Sequence, residues 1–169
     1  MTALAEAQPG VRIALVGATT HDVRAVMVDG PSGLCAIAPP ELRPRVLASR
    51  RRLDWPNGAC ATWFSAEEPD QLRGPEHHFA WCDEVAKWRF ADTCWDMLQM
   101  GLRLGERPRV LATTTPRPIA LLRRLMADPA TAVTRGRTTD NAANLPPAFI
   151  AAVRAQFGGT RLGRQELDG

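Results

Sequence analysis

Apolar residues come in short runs along this chain, and their spacing marks out the elements. Val11 to Gly17 is apolar apart from Arg12, the pattern of a buried strand. Thr19 and Asp22 follow at capping-box spacing, and Val23, Val26 and Met27 line one side of a helix reaching about Val28. Gly30-Pro31-Ser32-Gly33 breaks that helix. Leu34–Ala38 reads as a short strand or a turn, closed by Pro39-Pro40. Arg52–Trp55 and Ala59–Phe64 flank Pro56-Asn57-Gly58, a hairpin signal, because Asn-Gly accepts the positive φ angles of a type I′ turn.

Gly74-Pro75 separates the hairpin from the strand-like run His78–Cys82. Ala91, Cys94, Trp95, Leu98 and Leu102 fall on one helical face, which predicts a helix over 91–103. Residues 109–113 read as a strand, 118–127 as a helix and Ala132–Thr138 as a further strand. Phe149, Ile150, Val153 and Phe157 mark a last helix with Gly158 as its stop. This alternation predicts an α/β fold: a mostly parallel sheet with helices on both faces.

Composition narrows the class. A chain of 169 residues, 45% hydrophobic, can form one domain burying roughly two-thirds of its unfolded surface. No apolar stretch approaches the ~20 residues of a membrane span. Met1–Glu6 lacks the basic and apolar regions of a signal peptide, so the expected location is cytoplasmic, with no membrane partner. Cys35, Cys60, Cys82 and Cys94 form no C-x-x-C pair and read as small core hydrophobes. His77 or His78 with Cys82 lacks a complete metal-ligand set, and Cys82 lies within a core strand rather than at a nucleophile's position.

Net charge is only +3, which does not announce nucleic-acid binding. Arg50-Arg51-Arg52 and Arg123-Arg124 read as solvated faces or as contacts to DNA phosphates or a partner. Trp81, Trp88 and Trp95 read as core or interface rather than a base-stacking platform.

The candidate chemistry sits at two strand ends. His78–Cys82 closes in Asp83-Glu84, the way P-loop ATPases bring carboxylates to a nucleotide. In that reading Asp83 holds the Mg²⁺ of Mg-ATP through water, and Glu84 orients and activates the attacking water. One strand–helix unit later, Arg109-Val110-Leu111-Ala112 ends in Thr113-Thr114-Thr115-Pro116. These hydroxyls can bond a γ-phosphate or the attacking water. They also suit a helix cap before Pro116 or Pro118, and both roles are compatible.

With these motifs in order, the chain resembles the ATPase domain of the large terminase subunit, the DNA-packaging motor of tailed phages and phage-like gene transfer agents. The likeness runs through Ile13–Gly17, Arg52–Gly58, Ser65–Asp70, Leu72–Pro75, Trp81–Trp88, Thr113–Pro116 and Gly159–Glu166. It implies a partial P-loop NTPase domain of the RecA-like (ASCE) type, with a β-hairpin insertion, using ATP and Mg²⁺. By the same resemblance Asp83-Glu84 is a Walker B pair and Thr113–Thr115 couple hydrolysis to movement. Arg73 stands where the family places an arginine finger toward a neighbouring subunit's ATP. The implied partners are double-stranded DNA, the portal protein, the small terminase subunit and further large subunits in a ring.

One motif is missing. No G-x-x-x-x-G-K-[ST] occurs, and Lys87, the chain's one lysine, falls after the carboxylates. Gly158–Arg164 copies the spacing, with Arg for Lys and Gln165 for the hydroxyl residue, and it follows a helix. The resemblance therefore implies that 1–169 is an ATPase-domain fragment, without the phosphate-loop segment before it or the nuclease domain after it. Met1–Ala7 resembles the tail of the loop's helix. As a fragment the chain is expected to be catalytically inactive alone, a remnant or an interaction module.

Overall fold

The sheet grows outward from Arg12–Gly17 (β1), whose residues from Ile13 on are all buried. The computed structural model describes residues 1–160 and Gly163. The segment Arg161–Glu166, part of the family likeness and of the rejected loop, lies outside them save for Gly163. The chain divides into two units, Met1–Thr114 and Thr115–Gly169.

The first unit holds a six-stranded sheet. Its other strands are Arg45–Leu47 (β2), Arg52–Asp54 (β3), Cys60–Ser65 (β4), Phe79–Cys82 (β5) and Arg109–Ala112 (β6). Their order is β2-β3-β4-β1-β5-β6. β1 lies parallel between β4 and β5, with Ile13 opposite Ala61 and Phe79, and β5 runs parallel to β6. The hairpin pairs β3 antiparallel with β4, and β2 extends that edge antiparallel to β3. The mostly parallel α/β sheet is as expected.

Alternation along the strands divides the core between two faces. Val11, Ile13 and Leu15 pack with Leu53, Trp55, Ala61 and Trp63 against Ala5 of Thr2–Ala7 (α1) and Val23, Met27, Val28 and Leu34. Ala14, Val16, Ala80 and Cys82 alternate with these and are equally buried. Ala91–Gly101 (the fourth helix, α4, after α2 and α3 described next) buries Cys94, Trp95 and Leu98. Cys94 lies close enough to Cys82 to push its thiol further up, beyond what burial does. Cys94 itself is pushed up to about 12 by burial. Both thiols stay protonated and inert, as their apolar setting predicts.

Several local expectations are corrected. Thr19 caps Thr20–Asp22 (α2) as expected, its Oγ1 accepting from the Asp22 N–H at 3.0 Å. The helix then widens into a π-helical Val23–Val28 that leaves Val26 exposed. Leu34–Ile37 is a one-turn helix (α3), not a strand or turn, started by amide bonds to the Gly33 carbonyl. The predicted hairpin forms, but its turn is not type I′. Asn57 has negative φ and only Gly58 is left-handed, at φ 83. Gly58 N–H bonds Trp55 O, and Trp55 N–H bonds Ala59 O. Pro56 fixes its φ near −65°, which suits the first corner of a three-residue loop and excludes the double-positive turn.

α4 stops at Gly101, two residues early: Leu102 turns out of helical backbone, at ψ 75, and bridges to His77, and a Cβ at Gly101 would meet the Pro75 carbonyl at 2.8 Å. In the second unit, Ala120–Ala127 (α5) and Pro147–Phe157 (α6) match the predicted helices. Ala132–Thr138 is not a strand: residues 131–137 are irregular and exposed, and a 3-10 helix begins at Thr138. That run has one large apolar residue, Val133, and Gly136, so it has no face to bury.

His77, just before β5, is 4% exposed and meets Phe64 edge-to-face at 5.5 Å. Burial first, then the charges of Arg12 and His78, lower its pKa to about 4. The unfolded imidazole titrates near 6.5, so below that pH the unfolded chain takes a proton the folded chain refuses. Stability from this group is complete above pH 6.5 and is lost as pH falls toward 4. We expect wild type to lose roughly 2 kcal/mol between pH 7 and pH 5 through His77. Urea unfolding at both pH values should show a correspondingly smaller loss in His77→Gln; equal losses would contradict this.

Candidate active site

Parallel pairing sets the geometry of the candidate residues. Cys82 of β5 lies opposite Ala112 of β6, so Asp83-Glu84 and Thr113-Thr114 leave adjacent strand ends together. Thr113 continues the ladder, its N–H bonding Cys82 O at 2.9 Å. Its Oγ1 donates to Asp83 Oδ1 at 2.8 Å, and accepts the Glu84 N–H at 3.4 Å. The next two amides follow suit: Val85 N–H bonds Thr113 O at 3.1 Å and Ala86 N–H bonds Thr114 Oγ1 at 3.2 Å. The tip of β6 therefore grips the whole turn after the carboxylates.

That turn is strained. Glu84 is left-handed, φ 51 and ψ 51, one of two such non-glycine residues among those described. A side chain in this region costs on the order of 1 kcal/mol and persists only where its surroundings hold it. The conformation ends β5 abruptly and presents the Glu84 carboxylate at the strand's end, with Lys87 Nζ 3.8 Å from it. Asp83 and Glu84 are both partly exposed, open to a ligand from solvent.

The structure thus brings together Asp83, Glu84, Thr113 and Thr114. Thr115 is the first residue of the second unit. Arg73 is not brought to this group. It is exposed and follows the 3-10 turn Pro69–Leu72. The Leu72 carbonyl lies against Gly101, and the His77 amide bonds Gly101 O at 2.8 Å. Arg73 therefore lies near the carboxyl end of α4, whereas the Asp83-Glu84 turn precedes the amino end of that helix.

Metal chemistry here depends on a ligand. Among the described residues no three His, Cys, Asp or Glu side chains cluster to hold an ion. A lone Asp83, already bonded to a hydroxyl, suits Mg²⁺, which keeps its waters and binds mainly through phosphate oxygens.

The sequence profile of the family described as terminase large subunit, T4likevirus-type, N-terminal, matches residues 1–169. The chain belongs to this large-terminase family. No curated protein matches it. Its fold is that of solved phage terminases. The Thermus phage P74-26 large terminase ATPase domain superposes with a TM-score of 0.64 at 16% identity, covering 99% of this chain and 79% of that one. The large terminase of thermophilic bacteriophage D6E, solved with ATP-γ-S, gives 0.76 at 11% identity over 98% of this chain and 41% of its own. The same protein with ADP gives 0.73 at 13%, covering 98% and 42%.

The left-handed Glu84 was not foreseen from sequence, and neither was the indole bond of Trp88 to the Asp83 carbonyl at 3.0 Å. An acidic pair followed by Val85-Ala86 carries no turn residue to announce a kink. The strain gives a test. Glu84→Gly is expected to be more stable than Glu84→Ala by about 1 kcal/mol, because both lose the side-chain contacts while only glycine adopts this φ freely. Urea unfolding that shows Glu84→Gly no more stable than Glu84→Ala would mean the conformation is unstrained.

Proposed function

We propose that residues 1–169 carry the hydrolytic side of the ATP site of a DNA-packaging motor. The observation that supports this most is the contact of Asp83 with Thr113 across two parallel strand ends, in a large-terminase chain. Glu84 accepts a proton from the attacking water and orients it in line with the γ-phosphate. Asp83, steadied by Thr113, would hold the nucleotide's metal through water. When bound with ATP, Mg²⁺ neutralises charge on the phosphate oxygens. Thr113–Thr115 are proposed to sense loss of the γ-phosphate, and because Thr113 and Thr114 bond three successive amides of the Glu84 turn, displacement at either strand end would move the other.

Arg73 cannot serve this site from the far end of α4. In a ring of large subunits it is proposed to reach a neighbour's nucleotide, a contribution worth ~10³–10⁵ in rate for such arginines. The complete motor would engage double-stranded DNA, a portal protein and a small terminase subunit. It would work inside the host cell, in keeping with the lack, among the described residues, of a helix long and apolar enough to cross a membrane.

A second reading has its own support. The 169 residues contain no G-x-x-x-x-G-K-[ST], whose amides and lysine neutralise bound phosphates. By themselves Asp83 and Glu84 repel a nucleotide, so this polypeptide alone is proposed to be inactive and to act, if at all, through contacts with other motor parts.

Two measurements separate the readings. In a packaging-competent terminase carrying this sequence, Glu84→Gln should cut ATP turnover by about 10²–10⁴-fold with nucleotide affinity unchanged. Normal hydrolysis would overturn the assignment of Glu84. Calorimetric titration of residues 1–169 with Mg-ATP should show no micromolar binding, and such binding would reveal a phosphate site among these residues.

A further inference from the structure

Trp88 carries none of the chemistry the motifs mark, yet it is hydrogen-bonded to the backbone of the carboxylate pair. It is 5% exposed and follows the 3-10 turn Val85–Lys87. Its indole Nε1–H donates to the Asp83 carbonyl at 3.0 Å. That carbonyl sits where the sheet runs out. The Asp83 N–H still bonds Val16 O of β1 at 2.8 Å, but the β1–β5 register ends at Val16 and Cys82.

The amides of the turn are otherwise satisfied. Those of Glu84, Val85 and Ala86 bond Thr113 and Thr114, while Lys87 N–H bonds Glu84 O at 2.8 Å and Trp88 N–H bonds Val85 O at 3.3 Å. The Asp83 carbonyl and the Glu84 N–H belong to one rigid peptide plane. The indole holds one end of that plane, and Thr113 Oγ1 holds the other. A plane fixed at both ends leaves the strained Glu84 no easy return to extended backbone.

We propose that Trp88 is a positioning residue: its indole N–H clamps the Asp83–Glu84 peptide and so holds Glu84 in the left-handed conformation that presents its carboxylate. The functional half of this rests on reading Glu84 as the group that activates water. Trp88 acts on the reaction only through that peptide. Trp88→Phe removes the N–H together with the indole's five-membered ring and keeps a buried six-membered ring, and exchange at the β1 amides reports what the smaller side chain alone costs.

The clamp can be read without turnover. In residues 1–169 the Trp88 indole proton should exchange with deuterium about 100-fold more slowly than an exposed indole. In Trp88→Phe the amides of Glu84, Val85 and Ala86 should exchange about tenfold faster, with those of Ile13 to Val16 unchanged. An unprotected indole, unchanged exchange at 84–86, or an equal rise in β1 would overturn the clamp. In an ATP-hydrolysing terminase carrying this sequence, Trp88→Phe should lower kcat about 10–100-fold with the KM for ATP within about twofold. An unchanged kcat would overturn the positioning role. Glu84→Gln in that protein is the control: normal turnover there removes the reading of Glu84, and the positioning role with it, while the exchange result decides the clamp independently.

Discussion

Parallel pairing of β5 with β6, Cys82 opposite Ala112, is the constraint on which the site depends. Parallel strands end on the same edge of a sheet, so two segments thirty residues apart deliver their polar tips side by side. A slip of one residue would turn the whole strand over and send Thr113 to the wrong face. The register is secured by burial on the β5 side, where Ala80 and Cys82 are fully buried. The apolar core and the polar site are consequences of one arrangement of strands.

The site differs in character from the sheet beneath it. Below Cys82 the β5 backbone is regular and extended, with Ala80 and Cys82 buried and Phe79 and Trp81 half-buried, and the thiols of Cys82 and Cys94 are inert. Above it the chain bends sharply through a left-handed Glu84, partly open to solvent. Threonine hydroxyls and an indole take over where the ladder amides stop. Strain at one carboxylate is offset by bonds from two neighbouring elements, which makes the position of that carboxylate sensitive to both.

Much of this was legible in the sequence for identifiable reasons. β1 is a short apolar run ending in Gly17, β5 and β6 are short apolar runs ending in charged or hydroxylated residues, and α4 has a clean helical stripe. A helix between β5 and β6 is the standard parallel crossover, which makes them neighbours. Other features depended on single residues whose effect is conformational. Pro56 altered the turn type that Asn57-Gly58 suggested, and α3 is too short for any periodicity to show. Ala132–Thr138 has strand-like composition without a face to bury. The Glu84 kink is imposed by Thr113, Thr114 and Trp88, none of which marks it in the linear order. Arg73 was legible as a residue of the family pattern, while its place at the far end of α4 became visible only in three dimensions.

The central claim is that the end of β5 and the tip of β6 form one energetic unit. A double-mutant cycle between Asp83→Asn and Thr113→Val, read by urea unfolding, tests it most directly. Residues in one hydrogen-bonded network couple, whereas independent sites add within about 0.5 kcal/mol. The account predicts a coupling energy of about 1 kcal/mol or more, reflecting the charge-assisted bond between Thr113 Oγ1 and Asp83 Oδ1. Strict additivity of the two substitutions would contradict it.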